Sequence, residues 1–214
     1  MLNNQANLLV AEGELGQAQA MYEEALAKWR TLGDRRALAQ PLSSLAEVLQ
    51  WQGQLQAARA LIEEALALRR DFADHSGMAW SLTILGGVLL QEGDLEGARA
   101  ALAEALELFR TLGGSRDAAT CLESMAQVVL ARGMPHRAAR ILGAAEGLRV
   151  AIGSARLPVE RATHEETIAA AQRALGEDHF AVAWEAGAAL SLERAIALAL
   201  DEQDHSPECA ARWR

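Results

Sequence analysis

Glycine returns at a fixed step along this chain, at Gly13, Gly53, Gly93 and Gly133, each 40 residues from the last. Alanines keep the same step at Ala18, Ala58, Ala98 and Ala138, and again at Ala25, Ala65, Ala105 and Ala145. Bulky side chains hold a further register at Tyr22, Ile62, Leu102 and Leu142. The stretch "LLQEGDLEGARAALAEAL" thus returns as "LVAEGELGQAQAMYEEAL" and "LQWQGQLQAARALIEEAL". A unit this short cannot bury its own apolar surface, so the copies must stack on one another.

Within a copy the apolar spacing is helical. Leu95, Ala98, Leu102, Ala105, Leu106 and Phe109 follow Gly93 at steps of three and four, and Leu82, Leu85, Gly86 and Leu89 precede it in the same way. Few runs are β-branched, which leaves little support for strands. Gly93 suits a helix end that needs positive φ. Asp94 suits an N-cap, and Pro135 suits a first helical position. Each copy therefore reads as a helical hairpin, with hairpins expected near 1–30, 36–70, 77–110 and 117–152. Ala46, Gly86 and Ala126 on the first helices are expected to face Ala58, Ala98 and Ala138 on the second. Pro41 falls within a first helix and predicts a kink or a late start there.

These positions resemble the tetratricopeptide repeat (TPR). Its signature lies on Leu85, Gly86, Ala98, Leu102 and Ala105, on Leu45, Ala46, Ala58, Ile62 and Ala65, and on Met125, Ala126, Ala138, Leu142 and Ala145. The first copy supplies Ala6, Ala18, Tyr22 and Ala25. The step exceeds the usual repeat of about 34 residues. The extra residues follow the second helix, as in "ALRRDFADHS" and "ELFRTLGGSR", and the repeat-ending proline is missing, so the second helices are expected to run long. A 40-residue variant of this kind resembles the sensor arms of bacterial STAND-class regulators, including the maltose-operon activator type.

Past Ser154 the register lapses, and Arg173 stands where the next glycine would fall. Three helices remain legible, near 158–175, 177–188 and 191–200, with Gly176 closing the first and Ser191 capping the third. Ile168, Ala171 and Leu175, with Phe180, Val182 and Trp184, are read as apolar stripes covering the face left open by "RAARILGAAEGLRVAIG". "GEDHFAVAWEAG" and "LSLERAIALAL" resemble the C-terminal end of LuxR-type and related ATPase-linked regulators. The expected architecture is all-α: a TPR-like solenoid over 1–155, capping helices over 156–200, and a disordered tail over 201–214. Met1 falls inside a helix with no cap before it, so the chain reads as the C-terminal part of a longer regulator. The edge formed by Leu2, Leu8, Leu9 and Val10 is expected to support weak homodimers.

A formal charge of −9 disfavours a nucleic-acid surface. No apolar run is long and uncharged enough to span a bilayer, and "MLNNQANLLV" lacks the basic lead of a secretory signal. Cys121 and Cys209 make no disulfide framework, so a reduced, cytoplasmic setting is expected. No GxxxxGK[ST] loop occurs, and "THEET" lacks the second histidine of a zinc motif. Cys121 reads as a buried thiol, and Glu23–Glu24, Glu63–Glu64 and Glu165–Glu166 read as solvated faces. Neither catalysis, nor a cofactor, nor a metal is expected.

The TPR resemblance implies that first helices line a concave groove. Its positions fall on Asn3, Asn7, Ser43, Glu47, Trp51, Trp80, Thr83, Gln91, Glu123 and Gln127. Trp51 and Trp80 suit either the groove or the packing between hairpins. The basic clamp that takes chaperone C-terminal tails is missing, because its positions hold Asn3, Ser43, Thr83, Asn7, Glu47 and Gly87. The expected function is a non-catalytic interaction or sensor module, binding a protein, a peptide or another domain of its parent regulator. The alternative is a small-ligand sensor, for example for a sugar, using the same groove.

Overall fold

The computed structural model describes residues 2–113 and 116–201, which form eleven helices and no strand. Four hairpins come first: α1 (Leu2–Glu12) with α2 (Leu15–Leu32), α3 (Arg35–Trp51) with α4 (Leu55–Asp71), α5 (His75–Glu92) with α6 (Leu95–Leu112), and α7 (Arg116–Ala131) with α8 (Pro135–Ile152). Then follow α9 (Pro158–Leu175), α10 (Glu177–Ala188) and α11 (Leu192–Leu200).

The recurring glycines make the turns. Gly13, Gly53, Gly93 and Gly133 have φ of 86°, 76°, 85° and 79°, a region closed to most side chains. After each glycine, the next amide (Glu14, Gln54, Asp94, Met134) donates back to the carbonyl of Leu9, Leu49, Leu89 or Val129, closing the first helix. Asp94 then opens α6 by accepting the Gly97 N–H at 2.9 Å. Asp34 and Asp74 do the same between hairpins, accepting from Ala37 and Gly77. The late start expected at Pro41 is not seen. The Asp34 cap starts α3 at Arg35, upstream of the proline, and the helix continues through it.

Ala46, Ala58, Ala98, Ala126 and Ala138 are fully buried, and a methyl group on Gly86 would fall on the Leu102 side chain. Such small residues let paired helices approach closely. Through its middle turns, 81–89, α5 is buried almost all round. Its Ile84 and Val88 join the core of the first two hairpins, while Ala79, Leu82 and Leu89 join the core of the last two. The stack has two layers. α3 packs on α5 and α5 on α7, whereas successive second helices do not pack together to a comparable extent. The first helices therefore form an inner face.

The C-terminal helices return to the stack. α10 lies on α8 at backbone distance, since a methyl on Gly143, Gly147 or Gly187 would meet the carbonyl of Trp184, Ala188 or Arg140. Phe180 and Ala183 pack with Ala139 and Ala171, but Val182 is 68% exposed. The stripe read as Phe180, Val182 and Trp184 has a strand's period; on a helix the inward set is Phe180, Ala183 and Gly187. α11 sits on α6, α7 and α8, where buried Arg137 donates to the Leu198 and Ala199 carbonyls at 3.0 and 3.1 Å. At the other end Leu8 is exposed, Leu9 is half-buried and Val10 is buried under α2, so the apolar N-terminal edge is narrower than expected. Residues 202–214, which hold Cys209 and nearly all of the tail read as disordered, lie outside the described residues.

The glycine seam yields a paired test. Gly143→Ala should lower stability by about 1–3 kcal/mol, because the methyl meets backbone that must move. Gly16→Ala, with open space around it, should raise stability by roughly 0.5–1 kcal/mol. Denaturant melts of the two variants read both values.

Candidate functional site

The inner face carries a cleft of ≈ 820 Å³, its open mouth included. Glu47 and Trp51 reach it from α3, Trp80, Thr83 and Gln91 from α5, and Glu123 and Gln127 from α7. Glu47 and Trp51 are one helical turn apart and share a face. Trp51 and Trp80 are half-buried; they line the cleft and also pack on the core of the first two hairpins. Both readings of the tryptophans hold together.

Three expected site residues do not meet the others there. Asn7 lies in an adjoining cleft with Glu47 and Trp80, and its side-chain oxygen accepts the Tyr22 hydroxyl proton. Asn3 lines neither cleft, and its Oδ1 is buried. Ser43 is fully buried, donating to the Ala39 carbonyl and accepting from the Ser81 hydroxyl at 2.9 Å and from Arg69 at 3.1 Å.

Glu123 does line the cleft, but its carboxylate is engaged from behind. Arg149, 4% exposed, donates Nε to Oε1 at 2.9 Å and Nη2 to Oε2 at 2.8 Å. Arg156 donates to the same Oε1 and also pairs with Glu146 at 2.7 Å. Ser43 and Glu123 share one register of the repeat, and each meets a buried arginine that stands 26 residues on, Arg69 or Arg149. Thr83 holds the same register and, like Glu123, lines the cleft, whereas Ser43 is fully buried.

The chain itself forms the far wall. Val159, Glu160, Thr163, His164 and Thr167 of α9 line the cleft, and Leu157 packs on the core of the first two hairpins. Glu160 accepts the Leu157 N–H at 2.9 Å and so shapes the start of α9. None of this was read from the sequence, because α9 lies outside the repeat register. Its one signal was the run of polar residues on a helix with few apolar positions.

Burial, and then the carboxylates of Glu160 and Asp117, push the Glu47 carboxyl up to about 8. Burial first, and then the Arg156 charge, hold His164 below its usual range. Cys121, fully buried with its thiol toward the Leu102 carbonyl, is pushed up to about 12 by burial, which leaves it a poor nucleophile. Among the described residues no group of three or more His, Cys, Asp or Glu is placed to hold a metal ion. No helix among them is long and apolar enough to cross a membrane.

Glu123→Ala would leave Arg149 buried without its carboxylate, and should cost about 3–5 kcal/mol in a denaturant melt. Glu47 acts in the opposite sense. Its folded-state value lies above the ordinary 4.5, so the fold favours the neutral acid and stability falls as pH rises from about 4.5 to about 8. Glu160 on α9 and Asp117 on α7 act on it most strongly; Tyr22, Arg116 and Arg149 line the adjoining cleft that it also borders, and Glu123 and His164 line the main one. Glu47→Gln should remove that loss, so the melting-point gap between variant and parent should widen through this window.

A family model of the tetratricopeptide repeat matches residues 1–71, 37–111 and 77–149 in overlapping placements. No curated protein matches the chain. Hairpins closed by positive-φ glycines, alanines at the helix crossings and an inner layer of first helices are what that match describes, and it spans more than half of the sequence: the chain belongs to the tetratricopeptide-repeat family.

Proposed function

We propose that this chain is a non-catalytic interaction module whose polypeptide partner lies along the inner face of α3, α5 and α7. The observation that carries the proposal is the cleft itself. Trp51, Trp80, Gln91 and Gln127 remain partly or fully exposed along it, while Ser43 and Glu123 are engaged by Arg69 and Arg149. Aromatic rings with amide neighbours are the usual anchors of a protein interface. The partner would share the cleft with α9 or displace it.

The module is further proposed to serve as the C-terminal sensor arm of a larger STAND or LuxR-type regulator, located in the bacterial cytoplasm. The 40-residue step and the phrases "GEDHFAVAWEAG" and "LSLERAIALAL" support that reading. The same tryptophans and glutamines also suit a sugar-like ligand, which is the second reading. Weak pairing through exposed Leu8 belongs to the proposal as well.

Selection of displayed random peptides on the full chain, beside a thermal-shift panel of metabolites, separates the readings. Enriched peptides should bind the parent and lose roughly tenfold or more in affinity with Trp80→Ala. A metabolite that raises the melting point, with no peptide enriched, would replace the partner reading by the sensor reading.

A further inference from the structure

The wall of the cleft holds three carboxylates, Glu47, Glu123 and Glu160, and no lysine or arginine. Glu123 is neutralised by Arg149 and Arg156. Glu160 is fixed by the Leu157 N–H. Glu47 differs from both: among the described residues no basic side chain pairs with it, although it is half-buried. Arg116 and Arg149 line only the adjoining cleft, and Arg149 has its donors on Glu123 and Thr120.

Trp51 follows Glu47 by one turn on α3, and Trp80 comes from α5. Indole faces attract cations, and a guanidinium set on the Glu47 carboxyl favours its ionised form, so the proton that burial holds there leaves as the cation binds. The chain's formal charge of −9 also favours the approach of a cation. Guanidinium suits such a site better than ammonium, because it is planar, stacks on indole and can meet a carboxylate with two donors.

We propose that the cleft selects a polypeptide partner bearing an exposed arginine, whose side chain lies against Trp51 and Trp80 with its guanidinium on Glu47. This rests on the reading of the inner face as the partner-binding face. Glu160 is then a second negative wall, and α9 is part of the site. Acidic peptides are repelled by the same groups.

The test titrates the full chain with capped peptides Ala-Gly-X-Gly-Ala, where X is arginine, lysine, glutamine or glutamate, followed by calorimetry and tryptophan fluorescence. Arginine should bind tightest, then lysine, and the arginine peptide should exceed the glutamine peptide by roughly tenfold. Glu47→Gln should bring the arginine peptide down to the glutamine level. That variant is expected to be at least as stable as the parent, so its loss of binding is not a loss of fold. Glu63→Gln, on the exposed face of α4, should change nothing. Equal binding of the arginine and glutamine peptides, or arginine binding that survives Glu47→Gln, overturns the charge selection. If those uniform affinities still fall with Trp80→Ala, the interaction face stands without it. If no peptide binds, or Trp80→Ala leaves arginine binding intact, both readings fall.

Discussion

A two-helix hairpin is apolar on both broad faces and can cover only one of them by itself. Everything else in this structure follows from that constraint. α5 shows it most plainly, since Ile84 and Val88 look into one core while Leu82 and Leu89 look into the next. A helix buried almost all round exists only inside a stack. Stacking joins the cores, and the bulky register of Tyr22, Ile62, Leu102 and Leu142 fills them at 2% exposure or less. Because first helices pack on first helices while second helices stay apart, the stack bends, and the bend makes a cleft out of side chains that would otherwise lie on a flat face.

A stack must also end. The last hairpin meets α10 through Gly143, Gly147 and Gly187, where the absence of side chains lets two backbones touch. α11 is anchored differently, by the Arg137 guanidinium on the last carbonyls of the helix, groups that have no partner within the helix itself. α9 has only Thr167 and Ala171 buried; it packs on α8 and α10 through Ala171 and Ile168 and lines the cleft with its other side. The ending of the solenoid thus supplies one wall of its own candidate site.

The repeat was legible because it is written in residues with narrow physical roles. Positive φ calls for glycine, a helix crossing for alanine, and a helix start for aspartate. The polar registers were harder. Ser43 and Glu123 were read as groove residues because the family's first helices face inward; Glu123 does line the cleft, but the buried arginine of the second helix that each of them meets was not foreseen. The signal that could have corrected this lay 26 residues further on. Arg69 and Arg149 occupy the register of Phe109, which is buried at 3% exposure. A cation in a core register demands an acceptor from the facing helix, and Ser43 and Glu123 are those acceptors. Val182 was misplaced for a simpler reason: alternate residues share a face on a strand and never on a helix.

These polar pairs also decide the electrostatics of the inner face. In the second hairpin Arg69 meets a neutral serine, and among the described residues its charge partner is Asp74 at 3.6 Å, at the start of α5. In the fourth, Arg149 meets Glu123 directly, and Arg156 and Glu146 extend the pair into a partly buried network of charges that ends just before α9. The network draws the positive charge of that end behind the cleft wall, where it compensates Glu123 and leaves the lining without a cation. Glu47, two hairpins away, has no such neighbour. One end of the face is therefore closed and neutralised while the middle, between Trp51 and Trp80, keeps a carboxyl with no cation paired to it. The repeat supplies the same backbone at each position, and the exchange of one buried pair for another makes the positions chemically unlike.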